Sequence, residues 1–174
     1  MALSYNIVIF LIVSLLSISF MLINVRANLI NDVCSKTRNP VICLSALQGD
    51  PRSQGANLEG LATISIDLSQ KSTRSTYDLV KTLLTQTTDP NLKTRYTSCL
   101  ENYNDALNNL GELSSFLNSK DYDSLNIHAS DDPSTCDDDS FSGPPAESPQ
   151  LKDASDKVQG LIGIILVISN QLKG

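Results

Sequence analysis

Between residues 89 and 120, apolar side chains recur at Cys99, Tyr103, Ala106, Leu110, Leu113 and Leu117, in steps of 4, 3, 4, 3 and 4. That spacing places them on one stripe of an α-helix, the seam by which a bundle helix meets its neighbours. Leu92 and Tyr96 extend the stripe upstream, and Leu100 and Leu107 widen it. Asp89-Pro90 opens the segment with a capping carboxylate and a proline at the first helical position, where a missing N–H costs nothing. Such a helix is ~45 Å long at 1.5 Å per residue. A second stripe, Leu151, Ala154, Val158, Leu161, Ile165, Ile168 and Leu172, predicts a helix over roughly 148–172, begun by Ser148-Pro149. Ile164, Leu166 and Val167 make its centre apolar all round. A membrane span needs about 20 apolar residues, and Leu161–Ile168 is far shorter. The pattern therefore predicts a helix buried on most of its faces.

The stretch 55–86 reads as one further long helix, with Leu58, Leu61, Ile64, Leu68, Leu79 and Leu83 as its stripe. Ser65, Ser69, Ser72 and Ser75 dilute the middle, which is either a close helix approach through small residues or a polar face. From 121, Tyr122, Leu125 and Ala129 fit a short helix that Asp131-Asp132-Pro133 interrupts, and Ser142-Gly143-Pro144-Pro145 is a loop by composition. Ahead of these, residues 28–48 hold two short helical pieces turned at Pro40, and Gly49-Asp50-Pro51 ends that unit. Runs of β-branched residues at period two are missing. The expected fold is all-α: an N-terminal helical hairpin over 28–52, then an up-down-up-down four-helix bundle over 53–174.

Residues 1–27 carry a different pattern. The run from Ile7 to Ile23 is apolar, softened by Ser14, Ser17 and Ser19, and ends at Val25-Arg26-Ala27. This reads as a secretory signal peptide cleaved after Ala27. The mature chain would then be one domain of 147 residues, 28–174 of the 174. Loss of Arg26 takes the formal charge from −6 to −7. That balance argues against nucleic acid and anionic membranes as partners and permits a basic protein surface.

Export changes how the four cysteines are read, since thiols in an oxidising compartment pair rather than react. Four cysteines allow three pairings. Cys34 and Cys43 flank a turn, and Cys136 lies in the segment returning along the helix that bears Cys99, so nearest-neighbour pairing is favoured. No CxxC occurs and His128 is the only histidine, which leaves little for a zinc, redox or Ser–His–Asp site. Asp131-Asp132 and Asp137-Asp138-Asp139 lack the ligand spacing and turn glycine of a calcium loop and read as a solvated acidic stretch. No cofactor or metal is expected. A rigid bundle with almost no catalytic residue types points to a non-enzymatic binding module.

Four segments in order carry a more specific signal: Cys34-Ser-Lys-Thr-Arg-Asn-Pro-Val-Ile-Cys43; the Gly49–Ser53 loop with Leu58-Glu59-Gly60-Leu61-Ala62; Cys99-Leu100-Glu101-Asn102-Tyr103 through Ala106 and Leu110; and Lys120-Asp121-Tyr122-Asp123 with Thr135-Cys136 and Phe141. Together they resemble the plant invertase and pectin methylesterase inhibitors, over essentially the whole mature chain. The Gly49–Ala62 wording is most similar to the branch of pollen-allergen-like invertase inhibitors. The resemblance implies a hairpin plus four-helix bundle, Cys34–Cys43 and Cys99–Cys136 pairing, an apoplastic location, and a protein target that is often basic. It also exposes departures. About one helical turn is missing ahead of Cys136, and the spacing from Cys136 to Phe141 is one residue longer than in the family. Invertase inhibitors of this family carry Pro-Lys-Phe after the long second bundle helix, where this chain reads Tyr122-Asp123-Ser124. The expected target is therefore pectin methylesterase, with acid invertase second, bound by a monomeric inhibitor. A four-helix signalling or allergen-like binding protein without inhibitory activity is the alternative from another class. Asp121, Tyr122, Asp123, Ser124, Asp137, Asp138 and Asp139 are the candidate partner-binding residues.

Overall fold

The computed structural model describes residues 7–13, 29–130, 145–146 and 148–174. Residues 7–13 form a helical stretch with exposed apolar side chains. Helical residues 29–35 (α1) and Pro40–Gly49 (α2) make the hairpin, and a 3₁₀ turn, Pro51–Ser53, leads into the bundle helices. These are α3 (Leu58–Gln86), α4 (Pro90–Ser119), α5 (Tyr122–Ser130) and α6 (Pro149–Lys173). Around the bundle α3 packs on α4 and α6, and α5 closes the ring against the same two helices. Among the described residues no helix is long and apolar enough to cross a membrane.

Local chemistry sets the helix ends. Asn57 accepts from the Gly60 N–H at 2.9 Å to start α3, and Asp89 accepts from the Asn91 and Leu92 N–H groups to start α4. Asn39 does the same for α2 through the Ile42 N–H. Ser148 precedes Pro149 as expected, yet its side chain makes no capping bond, and α6 begins on backbone bonds to the Ser148 carbonyl.

The core follows the predicted stripes closely in two helices and loosely in the third. All six α4 positions from Cys99 to Leu117 are buried, and α6 has no exposed residue from Gly160 to Ser169. In α3 only Leu61 and Ile64 of the expected stripe are fully inside. Leu58, Leu68, Leu79 and Leu83 are half-buried, while Ser65, Ser69, Thr73 and Thr76 lie in the core. Ser72 is half-buried and Ser75 exposed, so the serines divide between the two roles weighed for them. Ser65 and Thr76 can be buried because their hydroxyls donate back to the Leu61 and Ser72 carbonyls at 2.8 and 2.9 Å. A further polar link crosses the core, where the Tyr103 hydroxyl on α4 meets Ser155 Oγ on α6 at 2.6 Å.

Cys34 and Cys43 are bridged, with Cα atoms 5.4 Å apart, and the hairpin sinks Val33, Cys34, Cys43 and Leu47 into the core. Cys99 is disulfide-bonded as well. The Cys136 side of the expected second bridge lies outside the described residues, as does the shortening expected around Asp131–Pro133. At the hairpin's exit, Arg52 bridges Asp50 and Asp67 of α3 at 2.7 and 2.6 Å. The guanidinium holds the Asp50 carboxyl down at about 2.

The hairpin seats on α6 at Gly160, where a Cβ would come within 2.8 Å of Ile42 side-chain carbons. Ile42 branches at Cβ, itself 3.0 Å from that position, so it cannot simply swing aside. Gly160→Ala should therefore lower stability, because overpacking costs about 1–3 kcal/mol and the gain in helix propensity is about 1 kcal/mol. In an Ile42→Ala background the same change should stabilise. Denaturant midpoints of the four proteins test this, and an Ala that stabilises in both backgrounds would place the hairpin elsewhere.

Candidate functional site

The α4–α5 junction is a tight reversal built by the backbone. Lys120 adopts the left-handed conformation (φ 60°), its N–H bonding the Leu117 carbonyl while the Asp121 N–H bonds that of Phe116. This pair of hydrogen bonds closes α4 as a Schellman motif. Asp121 then caps α5 by accepting from the Ser124 N–H at 3.0 Å, and Ser124 holds the Asp121 carboxyl below the usual carboxylate range. The Tyr122 hydroxyl donates to Glu59 at the start of α3 over 2.9 Å. Burial first, and then the Glu59 carboxylate, push the Tyr122 phenol up. Asp123 is 83% exposed and meets Lys173 of α6 at 2.8 Å.

The predicted set therefore separates. Asp121, Tyr122, Asp123 and Ser124 come together at one end of the bundle. Asp121, Tyr122 and Ser124 are committed to holding the junction, while Asp123 stays exposed beside Lys173. Asp137, Asp138 and Asp139 lie outside the described residues. Asn126 clasps α5 to α6 by donating to Ser169 Oγ at 2.6 Å. His128 lies half-buried on α5. It packs against Phe116, with ring centroids 4.8 Å apart, and its Nδ1 lies 3.4 Å from Glu112.

One feature of this region escaped the sequence reading. The exposed face of α4 beyond Arg95 carries Glu101, Asn104, Asp105, Asn108, Glu112, Ser114 and Ser115. No Lys or Arg occurs between Arg95 and Lys120. Glu101 and Asp105 stand one turn apart with like charge, an arrangement that costs an isolated helix a few tenths of a kcal/mol. Short Asn and Ser side chains give up little rotamer entropy on contact. The face is thus acidic, rigid and inexpensive to immobilise. The signal was available as the complement of the apolar stripe. Among the described residues no group of three His, Cys, Asp or Glu side chains is placed to hold a metal ion.

Comparison with known proteins fits this architecture. The family model described as plant invertase/pectin methylesterase inhibitor matches residues 28–168. The chain is 50% identical over 150 residues to "Pectinesterase inhibitor" of Actinidia deliciosa, covering 84% of this chain and 80% of that protein. It is 33% identical to "Pectinesterase inhibitor 2" of Arabidopsis thaliana, over 86% of this chain and 87% of that one. The crystal structure of a mutant form of a pectin methylesterase inhibitor from Arabidopsis superposes with a TM-score of 0.71 at 30% identity, covering 79% of this chain and 93% of that chain. With a hairpin on a four-helix bundle, a buried Cys34–Cys43 bridge and this extent of matching sequence, the chain belongs to the plant invertase/pectin methylesterase inhibitor family.

Proposed function

We propose that this chain is a secreted, monomeric inhibitor of pectin methylesterase that binds one-to-one over the target's active-site cleft and performs no chemistry of its own. The observation that carries the reading is the 50% identity to a protein named as a pectinesterase inhibitor. The family match begins at residue 28, which supports removal of 1–27 as a signal peptide and an apoplastic site of action. Cys99–Cys136 is the second bridge in this reading, and 28–174 is the inhibitor domain. The α4 face and the α4–α5 junction are the contact surface. Two properties recommend them. Their acidity suits a basic target, and the clasps to α3 and α6 fix the backbone before binding, which reduces the ordering cost of association.

Titration of residual activity tests the proposal. The oxidised protein should take pectin methylesterase to baseline at one equivalent while leaving cell-wall invertase active. The Glu101→Lys/Asp105→Lys double variant should associate about tenfold more slowly at low salt, because opposite charge steers the encounter. Wild-type association should also slow with salt, as the screening length falls from about 10 Å at 0.1 M to about 3 Å at 1 M. Inhibition of invertase alone would reverse the order of targets. An association rate that ignores both salt and the double substitution would move the contact surface off α4.

A further inference from the structure

A pocket of 380 Å³ lies between the hairpin turn and α6, on residues that the inhibitor reading does not use. Small-molecule sites are commonly clefts of roughly 300–1,000 Å³ with an apolar lining and a few placed polar groups. Here the turn supplies Lys36, Arg38 and Asn39, and α6 supplies Asp156, Ile162 and Val167. Two glycines of α6, Gly160 and Gly163, complete the lining. A Cβ built on Gly163 meets nothing within 4 Å, so the space above it is open rather than filled by a neighbour.

From this lining we propose that the pocket binds a sugar acid, a pyranose bearing one carboxylate, either free or as the end of an oligouronide. Each part of such a molecule has a counterpart. Arg38 is exposed on the turn, and a guanidinium takes a carboxylate through two parallel N–H donors. Lys36 adds positive charge, although its ammonium also pairs with Asp32 at 2.9 Å. Asn39 spends its carbonyl oxygen on the α2 cap, which leaves its amide hydrogens for ring hydroxyls. Asp156, paired only at 3.5 Å with Lys152, accepts from hydroxyls. That carboxylate repels a phosphate or sulfate dianion, whereas a sugar acid keeps its single charge at Arg38 and turns hydroxyls toward Asp156. Gly163 and Val167 offer apolar surface for the C–H face of the ring.

The pocket wall is also set in advance. The Cys34–Cys43 bridge closes the turn, Lys36 and Thr37 donate backbone N–H bonds to the Val33 and Cys34 carbonyls, and the Thr37 hydroxyl bonds the Cys34 carbonyl at 2.8 Å. A preformed wall lowers the ordering cost of holding a small ligand. The proposal is independent of the inhibitor reading except in suggesting galacturonate as the probe.

Titration of the oxidised protein with D-galacturonate, followed by amide NMR shifts, tests it. Saturable shifts are expected at Thr37, Arg38 and Gly163, with none for D-galactose. Arg38→Gln should weaken binding by about tenfold or more, the loss of one charge-assisted pair. Gly163→Leu should abolish it by filling the open space. Trigalacturonate binding at least as tightly as the monomer identifies a chain end as the ligand, and binding of the monomer alone identifies the free sugar. Absence of saturable shifts, an equal response to galactose or inorganic phosphate, or indifference to Arg38→Gln would overturn the proposal, and the last stands even if Gly163→Leu fails to fold. Pectin methylesterase titrations on the same samples keep the two readings apart, since neither variant touches the α4 face.

Discussion

Leu110→Ala should lower the unfolding free energy by about 2–5 kcal/mol, the range for removing a packed Leu side chain from a core. Asn108→Ala, two positions away, should stay within about 0.5 kcal/mol. Leu110 lies on the buried seam of α4, 2% exposed, and the Gln70 side chain of α3 donates to its carbonyl at 2.7 Å. The neighbours of Leu110 are therefore fixed by α3 as well as by its own helix, and a cavity there cannot close by a local shift. Asn108 faces solvent. Denaturant unfolding of the two variants makes the comparison. Equal midpoints would mean that α4 is rotated about its axis relative to the buried stripe.

Replacing both Cys34 and Cys43 with Ala should cost roughly 2.7 kcal/mol, the loop-closure entropy of a ten-residue ring. Alanine avoids placing new hydroxyls at two buried positions. The loss should appear locally before it appears globally. Besides its packing and the bridge, α1 is tied to the bundle by Gln171 of α6, which donates to Asp32 at 3.1 Å. Amides of the hairpin should then exchange well ahead of those in α4, whose seam is untouched. An unchanged midpoint, with hairpin amides as protected as those of α4, would show that packing on Gly160 holds the hairpin without the bridge.

The bundle was legible where large apolar residues do the packing. In α4 the 4-3-4-3-4 spacing had one helical solution, and Asp89-Pro90 and the turn after Ser119 bound its ends within a residue or two of the prediction. In α6 the all-round apolar centre correctly implied burial on most faces. In α3 the apolar spacing marks the helix but not its inward face. Hydropathy counts Ser and Thr as polar, yet a hydroxyl that bonds its own helix's carbonyl can be buried where the neighbouring backbone comes close. Ser65 and Thr76 do this. The candidate site was legible in part. The sequence put Asp121–Ser124 directly after the long α4 helix, but its bonds to Glu59 and Lys173 depend on residues 63 and 50 positions away, and its cap on a backbone turn that no spacing reveals.

By itself, then, the sequence determined the class of fold, the order and extent of the bundle helices, and the turn between Cys34 and Cys43, because each follows from local periodicity, caps and prolines. Only the tertiary structure decided which way α3 faces, that Tyr103 and Ser155 meet across the core, and that Gly160 receives Ile42. The tertiary structure also made Tyr122 a clasp rather than a free contact, left the acidic face of α4 open, and placed the hairpin turn over Gly163 to form a pocket. The reason is physical. Helix formation is dictated within a few turns of chain, whereas contacts between side chains distant in sequence depend on helix rotation and close approach, which are fixed by the summed packing of the whole bundle.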